Sequence, residues 1–236
     1  MIDKTTKMFH HSSLAALMSG LYEGSITISE LLEHGDFGIG TLAGITGEVI
    51  ILDGEAYQAR ADNTVSKLTG SETAPYGAVT PFTKVLSFKV ENTINSELLT
   101  AIETQFSSKN LFHAIKLEGS FDSMHVRMSP GGKEGEPFVE IAARQPEYTE
   151  KKITGTIVGF WTPELFHGVS VAGYHLHFLS QDKQFGGHII DFEGFSGNVE
   201  IGKIDQLLQS FPTENRNFLE AQLDLDKLRA DITEAE

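Results

Sequence analysis

Three histidines around one predicted turn restrict the fold of this chain more than any other feature. The string YHLHF contains His175 and His177, and the string GGH contains His188. Side chains alternate between the two faces of a strand, so His175 and His177 point the same way. A hairpin that turns symmetrically about Asp182 and Lys183 places His188 opposite His177, with His175 as its diagonal neighbour. Directly opposed Cβ atoms lie about 4.5–5.5 Å apart, so the three imidazoles converge on one face.

This convergence predicts a metal site. A His-x-His pair alone is more typical of surface or hydrogen-bonded imidazoles, and the third histidine at the paired position is what favours metal binding. Three neutral nitrogen ligands and one open position are the usual plan of a catalytic zinc site. The chain contains no cysteine, which excludes thiolate ligands. Zn²⁺ is therefore the first choice, with Fe²⁺, Ni²⁺ and Mn²⁺ as alternatives.

The residues around this hairpin fit the same interpretation. Gly186 and Gly187 leave room beside His188 for a ligand or for a close backbone approach. Five other histidines have no partner at metal-ligand spacing and receive no role: His10, His11, His34, His113 and His167.

Glycines and short β-branched runs dominate the rest of the pattern, with few helical segments. Thr27 and Glu30 have capping-box spacing, which predicts a helix that ends at Gly35. Residues 95–106 are amphipathic and predict a second helix with Asn95 at its N-cap. Strands are expected at 49–52, 56–59, 111–117, 121–128, 153–160, 169–179 and 188–192, a loop at 129–137, and helical spacing at 224–236.

Strands and helices follow one another without a strict βαβα order, which favours an α+β fold. We expect two β-sheet-rich halves packed closely with flanking helices, and a metal site on a β-hairpin of the C-terminal half. Residues 1–150 would form the N-terminal α+β half and residues 151–236 the C-terminal β-rich half, the two acting as one functional unit. A Gly-Thr pair precedes a hairpin in each half (Gly40-Thr41 and Gly155-Thr156), which fits either an internal duplication or chance.

Composition excludes several classes of partner. The 236 residues carry a formal net charge of −15 and no basic stripe, so nucleic acid is not an expected partner. No apolar run is long enough to span a bilayer, so no membrane partner is expected. The apolar patch near the N-terminus is too weak for a signal peptide, and a cytoplasmic location is expected.

Several longer strings resemble the alpha-acetolactate decarboxylase family. They are GDFGIGT (35–41), GEVIILDGEAYQ (47–58), KNLFHAIKLEGSF (109–121), GTIVGFWTP (155–163), SVAGYHLHF (170–178) and GGHIIDF (186–192). The similarity extends from about residue 12 to the C-terminus. It implies a zinc ion held by His175, His177 and His188, in agreement with the hairpin geometry, and it implies a homodimer.

The resemblance also implies catalytic roles for four residues. Taken alone, Glu48 would face solvent, Arg127 would be a surface arginine and Thr41 a turn residue. By similarity to the family's motifs, all three become active-site residues. A second glutamate near the C-terminus falls on Glu236, with Glu234 as its rival because the tail can slip by two positions.

The implied reaction converts 2-acetolactate (2-hydroxy-2-methyl-3-oxobutanoate) to acetoin and CO₂. Zn²⁺ would chelate the ketone and hydroxyl oxygens and stabilise the enediolate that remains after CO₂ leaves. Arg127 would hold the departing carboxylate bidentately, and Thr41 would orient a carboxylate or the substrate. Glu48, Glu236 or both would deliver a proton to one face. A three-histidine metal-dependent oxygenase and a non-catalytic module that binds a metal ion or a small acid are the alternatives.

Overall fold

The structure, a computed structural model, describes residues 5–223 and is built mainly of β-strands. The strands are β1 (Lys7–His11), β2 (Ile26–Thr27), β3 (Phe37–Leu42), β4 (Thr46–Leu52), β5 (Glu55–Ala59), β6 (Val65–Lys67), β7 (Thr73–Ala74), β8 (Tyr76–Thr80), β9 (Leu86–Thr93), β10 (His113–Arg127), β11 (Glu147–Thr162), β12 (Gly173–Ser180), β13 (Gly186–Glu193), β14 (Phe195–Lys203) and β15 (Gln206–Ser210). The helices are α1 (Leu14–Met18), α2 (Ile28–Glu33), α3 (Asn95–Glu103), α4 (Phe138–Ala142) and α5 (Arg216–Glu220). The predicted α+β class with two sheet-rich parts is confirmed.

Two sheets form the body of the protein. The first has seven strands in the order β15-β1-β8-β3-β4-β5-β6, and the second has six in the order β11-β12-β13-β10-β14-β9. In the second sheet, β11 also pairs with β10, so strands β10 to β13 pair in a closed cycle. Strand β12 thus pairs with β11 along its whole length and with β13 over residues 177–179, which anchors the histidine hairpin in the sheet.

The strands change from one sheet to the other between β8 and β9, at residues 81–85. Strand β11 runs across residue 150, where the sequence predicts the division between halves, and β15 returns to the first sheet. The division at residue 150 remains a prediction. The strand before this residue, β10, and the strand that contains it, β11, belong to the same sheet. The histidine hairpin lies in the second, C-terminal sheet, as expected.

Helix ends depend on short-range contacts, and two of the predicted ends differ from the structure. The capping box of Thr27 and Glu30 is present at α2, whose C-cap is His34, so Gly35 directly follows the helix as expected. The N-cap of α3 is Ile94, which makes no side-chain cap bond, and the helix ends at Glu103. The prediction that Asn95 is the N-cap was wrong. Asn95 is a residue type that favours the N-cap, but in the structure it is already the first residue of the helix.

Strand lengths were also underestimated where glycine suggested a break. The two strands expected at 111–117 and 121–128 form the single strand β10, because Gly119 pairs across the sheet with Gly155 and Gly197. The strand expected at 169–179 begins only at Gly173, after a short 3₁₀ turn. The helical pattern expected at 224–236 lies outside the described residues. Among residues 5–223, none of the helices is long and apolar enough to cross a bilayer.

An aromatic cluster fills the core of the second sheet. Phe121 is 1% exposed, and its ring centroid lies 5.4 Å from that of Phe178, 5.6 Å from that of Phe192 and 4.8 Å from that of Phe195. These rings come from β10, β12, β13 and β14, so the cluster joins the strands that carry the histidines to the rest of the sheet. The contacts of Phe121 with Phe178 and Phe192 are edge-to-face, a geometry that stabilises beyond the area that it buries.

Truncating this cluster should therefore destabilise the whole fold. We expect Phe121→Ala to lower the free energy of unfolding by about 3–5 kcal/mol, because the substitution opens a cavity among rings that cannot collapse into it. Urea unfolding followed by circular dichroism measures the change. Phe211→Ala, at a ring that is 54% exposed, is the control and should change stability by less than about 0.5 kcal/mol. Equal losses in the two variants would contradict the assigned core.

Candidate metal centre

The three histidines of the hairpin meet as the register predicted. His177 of β12 pairs with His188 of β13, and the same register pairs Phe178 with Gly187. The ring centroids lie 5.2 Å apart for His175 and His177, 5.0 Å for His175 and His188, and 5.5 Å for His177 and His188. Each imidazole offers one nitrogen within 4.8 Å of those of the other two. This group could hold a metal ion.

Because side chains alternate along β12, the histidines and the core residues lie on opposite faces of the strand. Leu176 and Phe178 point into the hydrophobic core, which turns His175 and His177 toward the other face. Of the two explanations offered for the glycine beside His188, the structure favours a close backbone approach. A Cβ on Gly187 would lie 2.9 Å from the carbonyl oxygen of Arg127, so this glycine admits the backbone of β10.

Hydrogen bonding fixes which nitrogens of the imidazoles are available. His177 Nδ1 lies 3.0 Å from the carbonyl oxygen of Val49 on β4 and donates to it, because a carbonyl oxygen can only accept. The other nitrogen, His177 Nε2, therefore carries a lone pair. His177 Nε2 and His175 Nδ1 are buried, and neither has a hydrogen-bond partner among residues 5–223. Buried polar atoms are rarely left in this state, and two of them facing a third imidazole fit a divalent metal ion.

Burial keeps the three imidazoles in the form that binds metal. Loss of solvent lowers the pKa of His177 to about 4, and the positive charge of Arg127 acts in the same direction. The pKa values of His175 and His188 also fall well below 6.5, first because of burial and then because of the facing imidazole. All three rings are neutral at neutral pH, so protons compete little with a metal ion for their lone pairs.

The carboxylate of Glu48 reaches the same place from the first sheet. Its Oε1 accepts a hydrogen bond of 3.0 Å from the backbone N–H of Ser129, and its Oε2 lies 3.6 Å from His177 Nε2. Gly47 precedes it with φ +68°, and a Cβ there would lie 2.3 Å from the carbonyl oxygen of Ala59. Thr41 donates its hydroxyl proton to the Gly47 carbonyl at 2.8 Å, so it holds the backbone that carries Glu48.

Arg127 lies at the end of β10, where the strand pairs with the histidine hairpin. It is paired in register with His188, and its Nη2 donates to His188 Nε2 at 3.3 Å. A guanidinium group has only donors, so it brings fixed positive charge and N–H groups to the histidine cluster. Anionic oxygens are the natural partners of such a group.

These side chains all face one cavity between the two sheets. Its wall also includes residues for which the sequence predicted no role in the site, namely Leu14, Leu17, Gly40, Ile45, Tyr76, Ser129, Phe138 and Gln145. The apolar members supply a wall for hydrocarbon groups, and the six expected residues Thr41, Glu48, Arg127, His175, His177 and His188 supply the polar wall. Their placement is consistent with one site, and their roles remain predictions. Glu236 and its rival Glu234 lie outside the described residues.

Comparison with known proteins identifies the family. The model of the alpha-acetolactate decarboxylase family matches residues 8–225. The chain belongs to the alpha-acetolactate decarboxylase family. The alpha-acetolactate decarboxylase of Lactococcus lactis subsp. cremoris is 56% identical over 236 residues, with all of both chains covered. That of Streptococcus thermophilus is 48% identical over 239 residues, again with both chains covered completely. The resemblance stated from the sequence is confirmed.

Solved structures show the same alpha-acetolactate decarboxylase fold. A Staphylococcus aureus protein, described as of unknown function and similar to alpha-acetolactate decarboxylase, superposes with a TM-score of 0.95 at 42% identity, covering 98% of this chain and 100% of the other. The alpha-acetolactate decarboxylase of Bacillus subtilis strain 168 superposes with a TM-score of 0.94 at 32% identity, covering 98% and 99%. The chain is therefore an enzyme of the alpha-acetolactate decarboxylase family.

Removal of any one imidazole should prevent stable metal binding. We expect the wild-type protein to retain about one Zn²⁺ per chain after loading and dialysis, and His175→Gln, His177→Gln and His188→Gln to retain little, because two nitrogens hold the ion weakly. Metal analysis of the dialysed proteins gives the result. His113→Gln changes another buried imidazole outside the cavity and should leave the zinc content unchanged. Full zinc retention by His177→Gln would show that the ion binds elsewhere.

The lowered pKa of His177 predicts how stability depends on pH in metal-free protein. The unfolded chain takes up a proton near pH 6.5, whereas folded His177 resists it down to about pH 4. The contribution of His177 to stability is therefore largely complete above pH 6.5 and falls as the pH drops toward 4, by about 2 kcal/mol between pH 7 and pH 5. Urea unfolding at several pH values should show a smaller acid loss in His177→Gln than in wild type. Parallel curves would mean that folded His177 takes up a proton as easily as the unfolded chain.

Proposed function

We propose that this protein catalyses the zinc-dependent decarboxylation of 2-acetolactate to acetoin and CO₂. The observation that carries the proposal is the convergence of three neutral imidazoles with Glu48 and Arg127 on one cavity. Membership of the alpha-acetolactate decarboxylase family favours this reaction over an oxygenase built on the same three histidines. A cytoplasmic homodimer remains our expectation from the sequence and the family resemblance.

The donor set supports zinc as the resident metal. His175, His177 and His188 would hold the ion, with His177 using Nε2 because its Nδ1 donates to the Val49 carbonyl. Imidazole nitrogens suit Zn²⁺, and three of them leave a coordination position for a small molecule. When bound, the ion supplies Lewis-acid stabilisation of the negative charge that develops on oxygen.

Arg127 would bind the carboxylate that is lost. Two parallel N–H groups fix a carboxylate in direction as well as in position. A β-keto acid loses CO₂ when the breaking C–C bond lies perpendicular to the plane of the keto group, because its electrons then enter the carbonyl π system. Holding the carboxylate out of that plane selects the bond that breaks. The apolar side chains of Leu14, Leu17 and Phe138 would receive the methyl groups and exclude water.

Glu48 would manage the proton. Loss of CO₂ leaves an enediolate, and one proton added to carbon completes acetoin, so the net reaction is one acetolactate anion plus one proton to acetoin plus CO₂. Because Ser129 N–H occupies Oε1, the oxygen that faces the imidazoles is Oε2. Thr41 would keep this carboxyl in place through the Gly47 carbonyl. Glu236 stays a proposed second proton donor.

Incubation of the zinc-loaded protein with racemic acetolactate tests the proposed function. We expect acetoin and CO₂ in equal amounts under anaerobic conditions, loss of turnover after treatment with a chelator, and recovery when Zn²⁺ is added back. Absence of acetoin, a requirement for oxygen, or full activity in metal-stripped protein would overturn the proposal.

A substitution at Glu48 separates proton transfer from metal binding in the same assay. We expect Glu48→Gln to keep its zinc and to lower kcat by about 10²–10⁴-fold, because the amide cannot donate an acidic proton. Glu118→Gln, at a surface carboxylate that is 68% exposed, is the control and should behave as wild type. A Glu48→Gln enzyme with wild-type kcat would remove Glu48 from the chemistry.

A further inference from the structure

Buried polar atoms without a partner are concentrated at the cavity. Among residues 5–223, eight buried side-chain nitrogen or oxygen atoms have no hydrogen-bond partner. Three of the eight belong to residues of the cavity wall, namely His175 Nδ1, His177 Nε2 and Gln145 Oε1. A metal ion accounts for the two nitrogens and leaves the oxygen of Gln145 unexplained. Buried polar atoms are rarely left unpaired, so a donor for this oxygen is expected from the cavity that Gln145 lines.

The backbone directs Gln145 toward the predicted catalytic residues. Arg127 of β10 pairs with Glu147 of β11, and the N–H of Met128 donates to the carbonyl oxygen of Pro146 at 3.2 Å, so the antiparallel pairing continues one residue beyond the strand. Opposed residues place their side chains on the same face, and residues two apart share a face. Gln145 therefore points to the same side as Arg127, and both residues line the cavity. Met128, on the other side, is buried in the core.

The other neutral polar side chains of the wall have partners within the protein. The hydroxyls of Thr41 and Ser129 donate to backbone carbonyl oxygens, and the hydroxyl of Tyr76 lies 3.3 Å from His10 Nε2. A carboxamide oxygen carries lone pairs and no proton, so Gln145 Oε1 can only accept. The cavity thus combines this acceptor with a guanidinium group that can only donate.

We propose that Gln145 Oε1 accepts a hydrogen bond from the hydroxyl group of a 2-hydroxy acid, which makes Gln145 a substrate-binding residue. The inference rests on the proposed function and extends it to substrate specificity. Of the polar groups of 2-acetolactate, the ketone and the carboxylate only accept, and the tertiary hydroxyl is the one donor. Coordination to a metal ion uses a lone pair of the hydroxyl oxygen and leaves its proton in place, so the same hydroxyl can donate to Gln145.

Binding of two acids of the same shape tests this hydrogen bond. 2-Hydroxy-2-methylpropanoate has a hydroxyl where 2,2-dimethylpropanoate has a methyl group, and calorimetric titration of the zinc-loaded protein gives the ratio of the two affinities. We expect Gln145→Met, which keeps the length of the side chain, to lower the preference for the hydroxy acid about tenfold, the size of one net hydrogen bond. Any contribution of zinc to the preference is common to both proteins. An unchanged preference in Gln145→Met would overturn the inference.

Gln209→Met is the matched control. Gln209 Oε1 is also buried without a partner among residues 5–223, but Gln209 does not line the cavity. We expect this variant to keep the preference within about twofold of wild type. A loss equal to that in Gln145→Met would mean that removal of a buried amide, and not contact with the ligand, causes the effect.

A conservative variant separates hydrogen bonding from packing. The carboxylate in Gln145→Glu has the same length and also only accepts, but its negative charge repels both acids. We expect the two affinities to fall together and the preference for the hydroxy acid to stay within about threefold of wild type. A loss of preference as large as in Gln145→Met would show that the shape of the side chain matters and its acceptor oxygen does not.

The same contact predicts a change in the turnover of acetolactate. The hydroxyl is present in substrate and product alike, so its hydrogen bond stabilises the bound substrate and the transition state to a similar extent. We expect Gln145→Met to raise KM about tenfold and to keep kcat within about twofold of wild type. A fall in kcat at unchanged KM would contradict a binding role.

The binding measurements and the acetoin assay fail independently. A wild type that forms no acetoin, but whose preference for the hydroxy acid depends on Gln145, overturns the proposed reaction and leaves this binding role intact. A wild type that forms acetoin, with a preference that Gln145→Met does not change, overturns the binding role alone.

Discussion

The pairing of His177 with His188 across one hairpin is the constraint on which the rest of the site depends. Side chains alternate with a period of two, so a slip of one residue would turn His188 to the opposite face and leave two imidazoles instead of three. The register is held by packing: Phe178 points into the aromatic cluster around Phe121, and the cycle of strands β10 to β13 leaves little freedom to slide. The packing of the core on one face of this sheet therefore also fixes the positions of the three imidazoles on the other face.

The site also requires the two sheets to dock. The second sheet supplies the imidazoles and Arg127, and the first supplies Thr41 and Glu48. The hydrogen bond from His177 to the Val49 carbonyl joins the sheets and decides which nitrogen of the imidazole faces the cavity. Docking removes solvent from the rings, and that burial keeps them neutral. One event thus supplies orientation and protonation state together.

Local patterns predicted the hairpin, and contacts distant in sequence explain what the sequence could not predict. Register within a short hairpin follows from alternation and turn symmetry, so the three histidines could be placed together. Glu48 and Arg127 had no distinguishing pattern of their own, and the family resemblance alone identified them. Ser129 holds Glu48 across a separation of 81 residues, and Tyr76 meets His10 across 66, which no local period encodes. Two strands were predicted at 111–117 and 121–128 where the structure has one, because the glycines that face Gly119 lie on strands distant in sequence.

The most direct measurement is anomalous X-ray diffraction at the zinc absorption edge from crystals of the zinc-loaded protein. We expect one strong peak at coordinating distance from one nitrogen each of His175, His177 and His188, with His177 bound through Nε2 and its Nδ1 still directed at Val49. A peak at another place in the chain, or no ordered zinc in a preparation that decarboxylates acetolactate, would contradict the central claim that these three imidazoles hold the catalytic metal.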